Sequence, residues 1–207
     1  MRYLKMLGLC LAAALALSAL LGAGTASATK LCSVNTAPCP AGNTYGKGTA
    51  IKAQLVPGTT SVVSSGFVTV VCTESTMTGK TTSDGGGTGV PVTGSISSVT
   101  WKGCKTTSGS ACTASALNTP WGASLSGSGG SGTMTVTGAA GKFTCSVTCE
   151  YEAKSASVSV SGGNPATIKA NSVGFSRIGG SFLCSSSASW SAEYEVTSPK
   201  PAFVVGS

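Results

Sequence analysis

Glu-Tyr-Glu occurs twice in this 207-residue chain, at 150–152 and at 193–195, and the two copies hold four of its six acidic residues. Paired carboxylates supply the acid and base of a glycoside hydrolase, or the oxygen ligands of a calcium site. Either chemistry needs Glu150, Glu152, Glu193 and Glu195 to converge, and hydrolysis also needs one of them desolvated so that its pKa rises. The flanking residues predict another role. In "SWSAEYEVT" Trp190, Ala192, Tyr194 and Val196 alternate with Ser191, Glu193, Glu195 and Thr197, which is the period of a half-buried strand. Glutamates two apart on a strand are successive outward positions, with the tyrosine between them facing inward. The expectation is two solvated strand faces whose carboxylates pair across the sheet with lysines such as Lys154 or Lys169.

Other chemistry fares no better. The chain has no histidine, so the usual base for a serine or cysteine nucleophile is missing. "TGKTT" at 78–82 contains Gly-Lys-Thr, but the position of the first phosphate-loop glycine is Glu74. Asp84 in "SDGGGTG" is a single carboxylate in a turn. No catalytic residue, metal site or cofactor is expected. Trp101 and Trp190 fall in phase with apolar neighbours and read as core. Trp121, after a proline in "LNTPWGAS", is ambiguous: burial is favoured for it as for the other two, and were it exposed it would be the one candidate ligand contact, through stacking on a sugar ring or lipid.

Residues 1–28 stand apart from the rest. Arg2 and Lys5 precede an apolar run that ends in Ala26-Ser27-Ala28, the pattern of a secretory leader cleaved after Ala28. Cys10 lies inside that run behind Leu9, so no lipid anchor is indicated, and no stable membrane insertion is expected after cleavage. The remainder begins at Thr29, and about a third of it is Ser or Thr. Removing Arg2 and Lys5 from the 13 basic residues leaves 11 against six acidic ones, a net charge of +5. That charge is spread thinly, whereas nucleic-acid binders cluster theirs to neutralise phosphates. Nucleic acid is therefore excluded as a partner. Attraction to an anionic cell wall is not.

Eight cysteines follow the leader: Cys32, Cys39, Cys72, Cys104, Cys112, Cys145, Cys149 and Cys184. An even number in an exported chain predicts four disulfides, and zinc is disfavoured without histidine or a CxxC pair. Sequence alone cannot choose among the 105 pairings. Short loops favour Cys32–Cys39, Cys104–Cys112 and Cys145–Cys149, which would leave Cys72 for Cys184. "SGSGGSG" at 126–132 resembles a linker, yet five of these cysteines precede it and three follow. Odd numbers on both sides force at least one bridge across it, so a glycine-rich hairpin loop inside one domain is expected.

"AIKAQLV", "GTMTVTG" and "SASVSVSG" alternate as half-buried strands, and "GFVTVVC" is apolar on both faces, as in a central strand. Turn clusters separate them, and no helical period appears. The predicted fold is all-β: a single disulfide-stapled β-sandwich or open barrel of about ten short antiparallel strands. Its parts are the leader at 1–28, an N-terminal segment at 29–48 with the Cys32–Cys39 loop, and the β domain at 49–207.

"LCSVNTAPCPAGNTYGKGTAIKA", "ALNTPWGASL" and "CSSSASWSAEYEVTSP" resemble a class of exported, cysteine-rich all-β proteins of high-GC Gram-positive bacteria. The resemblance implies export and a bacterial origin, and carries over no functional residue. The functional expectation is a secreted or surface-associated, non-enzymatic protein whose sheets and loops meet a partner such as cell-wall glycan or another exported protein. A β-sandwich binding a small ligand or glycan is the alternative, and a hydrolase using the glutamates comes third.

Overall fold

A computed structural model describes residues 28–66 and 68–206. The expected leader and its cleavage site before Thr29 fall mostly outside them. The described chain is all-β, with one 3-10 turn at Ala41–Asn43.

Eight strands form a closed ring. They are β2 (Ala50–Leu55), β5 (Glu74–Thr81), β6 (Val92–Lys102), β9 (Trp121–Ser128), β10 (Ser131–Thr144), β11 (Thr148–Ser161), β12 (Thr167–Gly180) and β13 (Ser187–Ser198). Each pairs antiparallel with the next, and β13 pairs back to β2. A second strand, β8 (Thr113–Leu117), continues the place of β9 between β6 and β10. Outside the ring, β3 (Ser61–Ser65) pairs with the start of β13, and β4 (Val68–Cys72) and β7 (Lys105–Thr106) follow it as a flap.

One end of the barrel is sealed. There β1 (Thr29–Cys32) and β14 (Phe203–Gly206) form a two-stranded ribbon. It is tied to the tips of two hairpins through bridges from Gly130 to Val204 and from Gly163 to Ala202. Val204 and Val205 are 1% exposed, and the Thr29 hydroxyl donates to Gly127 O and accepts from Gly127 N. Residues 29–48 are thus held to the C-terminus, and the Tyr45 hydroxyl donates to Pro201 O at 2.8 Å.

Closure corrects the expected sandwich or open barrel, and the cause lies in three long strands. "CEYEA" and "SASVSVSG" are parts of one fourteen-residue strand, β11. Its inward positions run Tyr151 and Ala153, then Ala156, Val158 and Val160, so the phase slips by one residue at 154–155. The same slip occurs on β10 between Val136 and Ala139, and on β12 between Ala170 and Val173. Gly138 and Ser172 sit at these points with φ of 72° and 51°. The registers of β10–β11 and β11–β12 align the three irregularities diagonally across the sheet. Aligned bulges and glycine kinks bend a sheet while keeping one face inward, which is how a barrel closes.

Two further expectations change. "GFVTVVC" is not central: β4 lies in the outer flap, and Val68 is exposed. Of the bridges favoured by loop length, Cys32–Cys39 forms, but the others are Cys72–Cys104, Cys112–Cys145 and Cys149–Cys184. Cys112 N does donate to Cys104 O at 2.9 Å, so these two are neighbours across a hairpin, but their sulfurs go to different strands. Cys149 lies opposite Phe143 rather than Cys145, because residues 145–147 form the tight turn itself. The bridge across the "SGSGGSG" hairpin, required by the odd counts, is Cys112–Cys145. Four disulfides suit an oxidising compartment. Among the described residues, no helix is long and apolar enough to cross a membrane.

Candidate functional site

An eight-stranded barrel is just wide enough for inward side chains to fill it, so large inward residues leave no room and small ones leave a cavity. Here many inward positions are small: Ala53 on β2, Ala123 on β9, Ala156 on β11 and Ala170 on β12. Two cavities result. The first, about 50 Å³, is walled by Trp101, Trp121, Trp190 and Tyr194 with Val99, Ala156 and Ala170, and no polar atom faces it. The second, about 110 Å³, lies toward the sealed end among Leu31, Ala53, Ala123, Leu125, Val196 and Val204, and is almost wholly apolar.

These spaces stand in line. Met77, Ile96, Met134 and Ile168 border both cavities and form the partition between them. Methionine is unbranched and adaptable, so two of the four partition residues can change rotamer with little loss. At the other end, Val63, Phe143 and Tyr151 border both the first cavity and an open groove of about 250 Å³. That groove lies between the β3–β4–β7 flap and the hairpin tips, and Val68, Val147 and Leu183 contribute to its lining. Cys145, Cys149 and Cys184 also line this mouth, and the Cys72–Cys104 bridge packs in one cluster with Cys145.

Behind the aromatic wall is a buried polar cluster. The Tyr194 hydroxyl shares a hydrogen bond with Ser75 Oγ at 2.8 Å, and Trp190 Nε1 donates to Ser61 Oγ at 2.9 Å. Burial pushes the Tyr194 hydroxyl up to about 12, against the opposing influence of Ser75, Ser61 and Trp101. Trp101 Nε1 lies near enough to that hydroxyl to favour its ionised form, yet it is buried without a hydrogen bond of proper geometry. The cluster fixes the orientation of the wall. It does not open into the cavity.

The glutamates do not converge. Tyr151 and Tyr194 are 2% and 1% exposed while Glu150, Glu152, Glu193 and Glu195 remain partly solvated. Strand β12 separates the two copies, with Glu152 opposite Ser176 and Glu193 opposite Lys169. Seven residues of strand put them about 20 Å apart, whereas hydrolase carboxylates stand roughly 5–10 Å apart. Three of the four have an ordinary surface partner. Lys142 lies 3.3 Å from Glu150, Lys169 lies 3.4 Å from Glu193, and Gln54 Nε2 donates to Glu195 Oε1 at 2.8 Å. The expected Lys169 pairing is present, while Lys142 stands where Lys154 was expected.

Trp121 is buried, with Nε1 donating to Leu117 O at 2.8 Å, so no exposed ring is offered for stacking. It lines the first cavity instead. Asp84 accepts a hydrogen bond from Lys47 N, and Thr78–Thr81 lie on β5. Among the described residues no group of His, Cys, Asp or Glu could hold a metal. Sequence reasoning missed the cavity, although its signal was present: alanine fills inward positions where Leu or Ile would fill a core. No family model matches this chain, and neither a curated protein nor a solved structure is significantly similar to it.

Proposed function

We propose that this is an exported, non-enzymatic binding protein whose barrel takes the hydrocarbon chain of an apolar ligand, with any polar head left at the mouth. The leader-like N-terminus and four disulfides support export. The observation that carries the reading is the line of spaces from a groove of mixed polar and apolar lining at the mouth, through two apolar cavities, to the β1–β14 seal, separated by one aromatic-aliphatic layer and one methionine-bearing layer. A cavity of roughly 150 Å³ with such a lining stays dry and accepts small hydrocarbons. Slender chains fit this geometry; a flat sterol does not. The ligand enters past Val63, Phe143 and Tyr151 and displaces Met77 and Met134 to join the two cavities. Glycan binding has less support, because the walls offer a sugar no hydrogen-bonding groups.

The test is titration with a fluorescent polyene fatty acid, followed by displacement with saturated fatty acids and alkanes. Saturable binding of one chain per barrel is expected. Ala156→Leu in the first cavity and Ala123→Leu in the second should each weaken it at least tenfold while the protein still melts cooperatively. Binding that is absent, or equally strong in both filled variants, would overturn the proposal.

A further inference from the structure

Two of the most exposed large apolar side chains stand side by side at the mouth. Phe182 is 88% exposed and Leu183 is 66% exposed, in the turn between β12 and β13; Ile178 and Val68 are also exposed nearby. Gly66, at the tip of the β3–β4 hairpin, abuts Ser185 of this turn, so Val68 and Leu183 flank one groove.

The turn is tightly held. Ser181 N donates to Thr148 O at 2.8 Å, Cys184 N to Ser181 O at 3.0 Å, and Leu183 N to Ser181 Oγ at 3.2 Å. Arg177 Nη1 donates to Cys184 O at 2.6 Å and also reaches Ser181 O and Phe182 O. Cys184 is bridged to Cys149 on β11. A turn fixed by a cation, a disulfide and its own backbone presents Phe182 and Leu183 to solvent in one arrangement. Exposure on this scale at a fixed tip marks an interaction surface.

The chemistry around the tip favours one occupant. Lys102, Lys105, Lys142 and Arg177 lie at this end against Glu74, Glu150 and Glu152, and Glu150 is paired with Lys142. Four basic against three acidic residues leave a net charge of +1 at this end, and the Arg177 guanidinium sits on the carbonyls of the turn itself. A cation beside exposed apolar side chains is the combination that binds an anionic bilayer, where rings and aliphatic groups enter the headgroup–acyl boundary while cations meet lipid phosphates. We infer that the Phe182–Leu183 tip docks the mouth of the barrel on an anionic lipid surface. The docked mouth faces the source of hydrocarbon chains. The inference shares its ligand chemistry with the reading above, but vesicle docking and filling of the barrel are measured separately.

The experiment is flotation of the full, oxidised chain with vesicles of phosphatidylglycerol and phosphatidylcholine, and with phosphatidylcholine alone. Wild type and variants carry the same N-terminus, so a difference between them isolates the tip. Phe182→Ser with Leu183→Ser should lower partition into the anionic vesicles at least tenfold without moving the melting temperature. Lys105→Glu should lower it several-fold on anionic vesicles and leave it unchanged on neutral ones. Equal flotation of wild type and the double variant would overturn the inference. So would a wild-type dimer in lipid-free gel filtration that the double variant converts to monomer, since the tip would then serve a second copy.

Discussion

The two ends of the barrel are finished by different means. The sealed end is closed by backbone pairing and packing: β1 and β14 bury Val204 and Val205, and main-chain bonds reach two hairpin tips. The mouth buries two small apolar clusters, around Val63, Tyr151 and Ala188 and around Val70, Cys72 and Cys104, and leaves Phe182 and Leu183 exposed. Its flap and turns are held by Cys72–Cys104, Cys112–Cys145 and Cys149–Cys184, with sequence separations of 32, 33 and 35. Where apolar area is left exposed for use, covalent staples supplement burial. Three of the four disulfides thus stand at the end where large apolar side chains remain exposed, and the fourth, Cys32–Cys39, starts on the β1 strand of the sealed end.

Removing bridges should expose that asymmetry most strongly. Replacing Cys112 and Cys145 by Ala should cost about 4 kcal/mol, and replacing Cys32 and Cys39 about 2.5 kcal/mol, because the longer loop loses more closure entropy. Urea melts of the two double variants would measure both. Equal costs would mean that loop closure does not govern the mouth.

The polar cluster gives a second, smaller contrast. With its folded pKa raised to about 12 from the usual 10, Tyr194 stabilises the fold fully below pH 10. That contribution is lost as pH rises from 10 towards 12, since the unfolded chain ionises first, and amounts to about 2–3 kcal/mol. Tyr194→Phe should flatten the alkaline limb of a stability profile between pH 9 and 11.5. An unchanged limb would assign the loss to other groups.

The smallest effects belong to the outer face. Glu150→Gln, Glu152→Gln, Glu193→Gln and Glu195→Gln should each shift stability by less than about 1 kcal/mol, whereas Tyr151→Ala near the mouth should cost about 3 kcal/mol. Thermal melts with and without calcium check this. A calcium-dependent rise abolished by one Glu→Gln change would restore a metal site to the outer face.

Local alternation carried much of the fold. The sequence by itself determined that Tyr194, Ala192 and Val196 face inward on β13, that the glutamates face outward, and that the chain is all-β, because strand phase is a nearest-neighbour property. Parity of the cysteines also required a bridge across the glycine hairpin. Tertiary structure alone decided the rest. The break in "YEAKSASVSV" reads equally well as a turn between two strands or as a slip within one. Only alignment with Gly138 and Ser172 on the neighbouring strands makes it a bend that closes a barrel. Cysteine partners depended on which hairpin ends that closure brings together, and short loops misled because facing backbones do not imply facing sulfurs. Phe182 and Leu183 lie in a Gly/Ser-rich turn with no period to read. Their position beside the cavity mouth, like the cavity itself, follows from long-range pairing that no local pattern encodes.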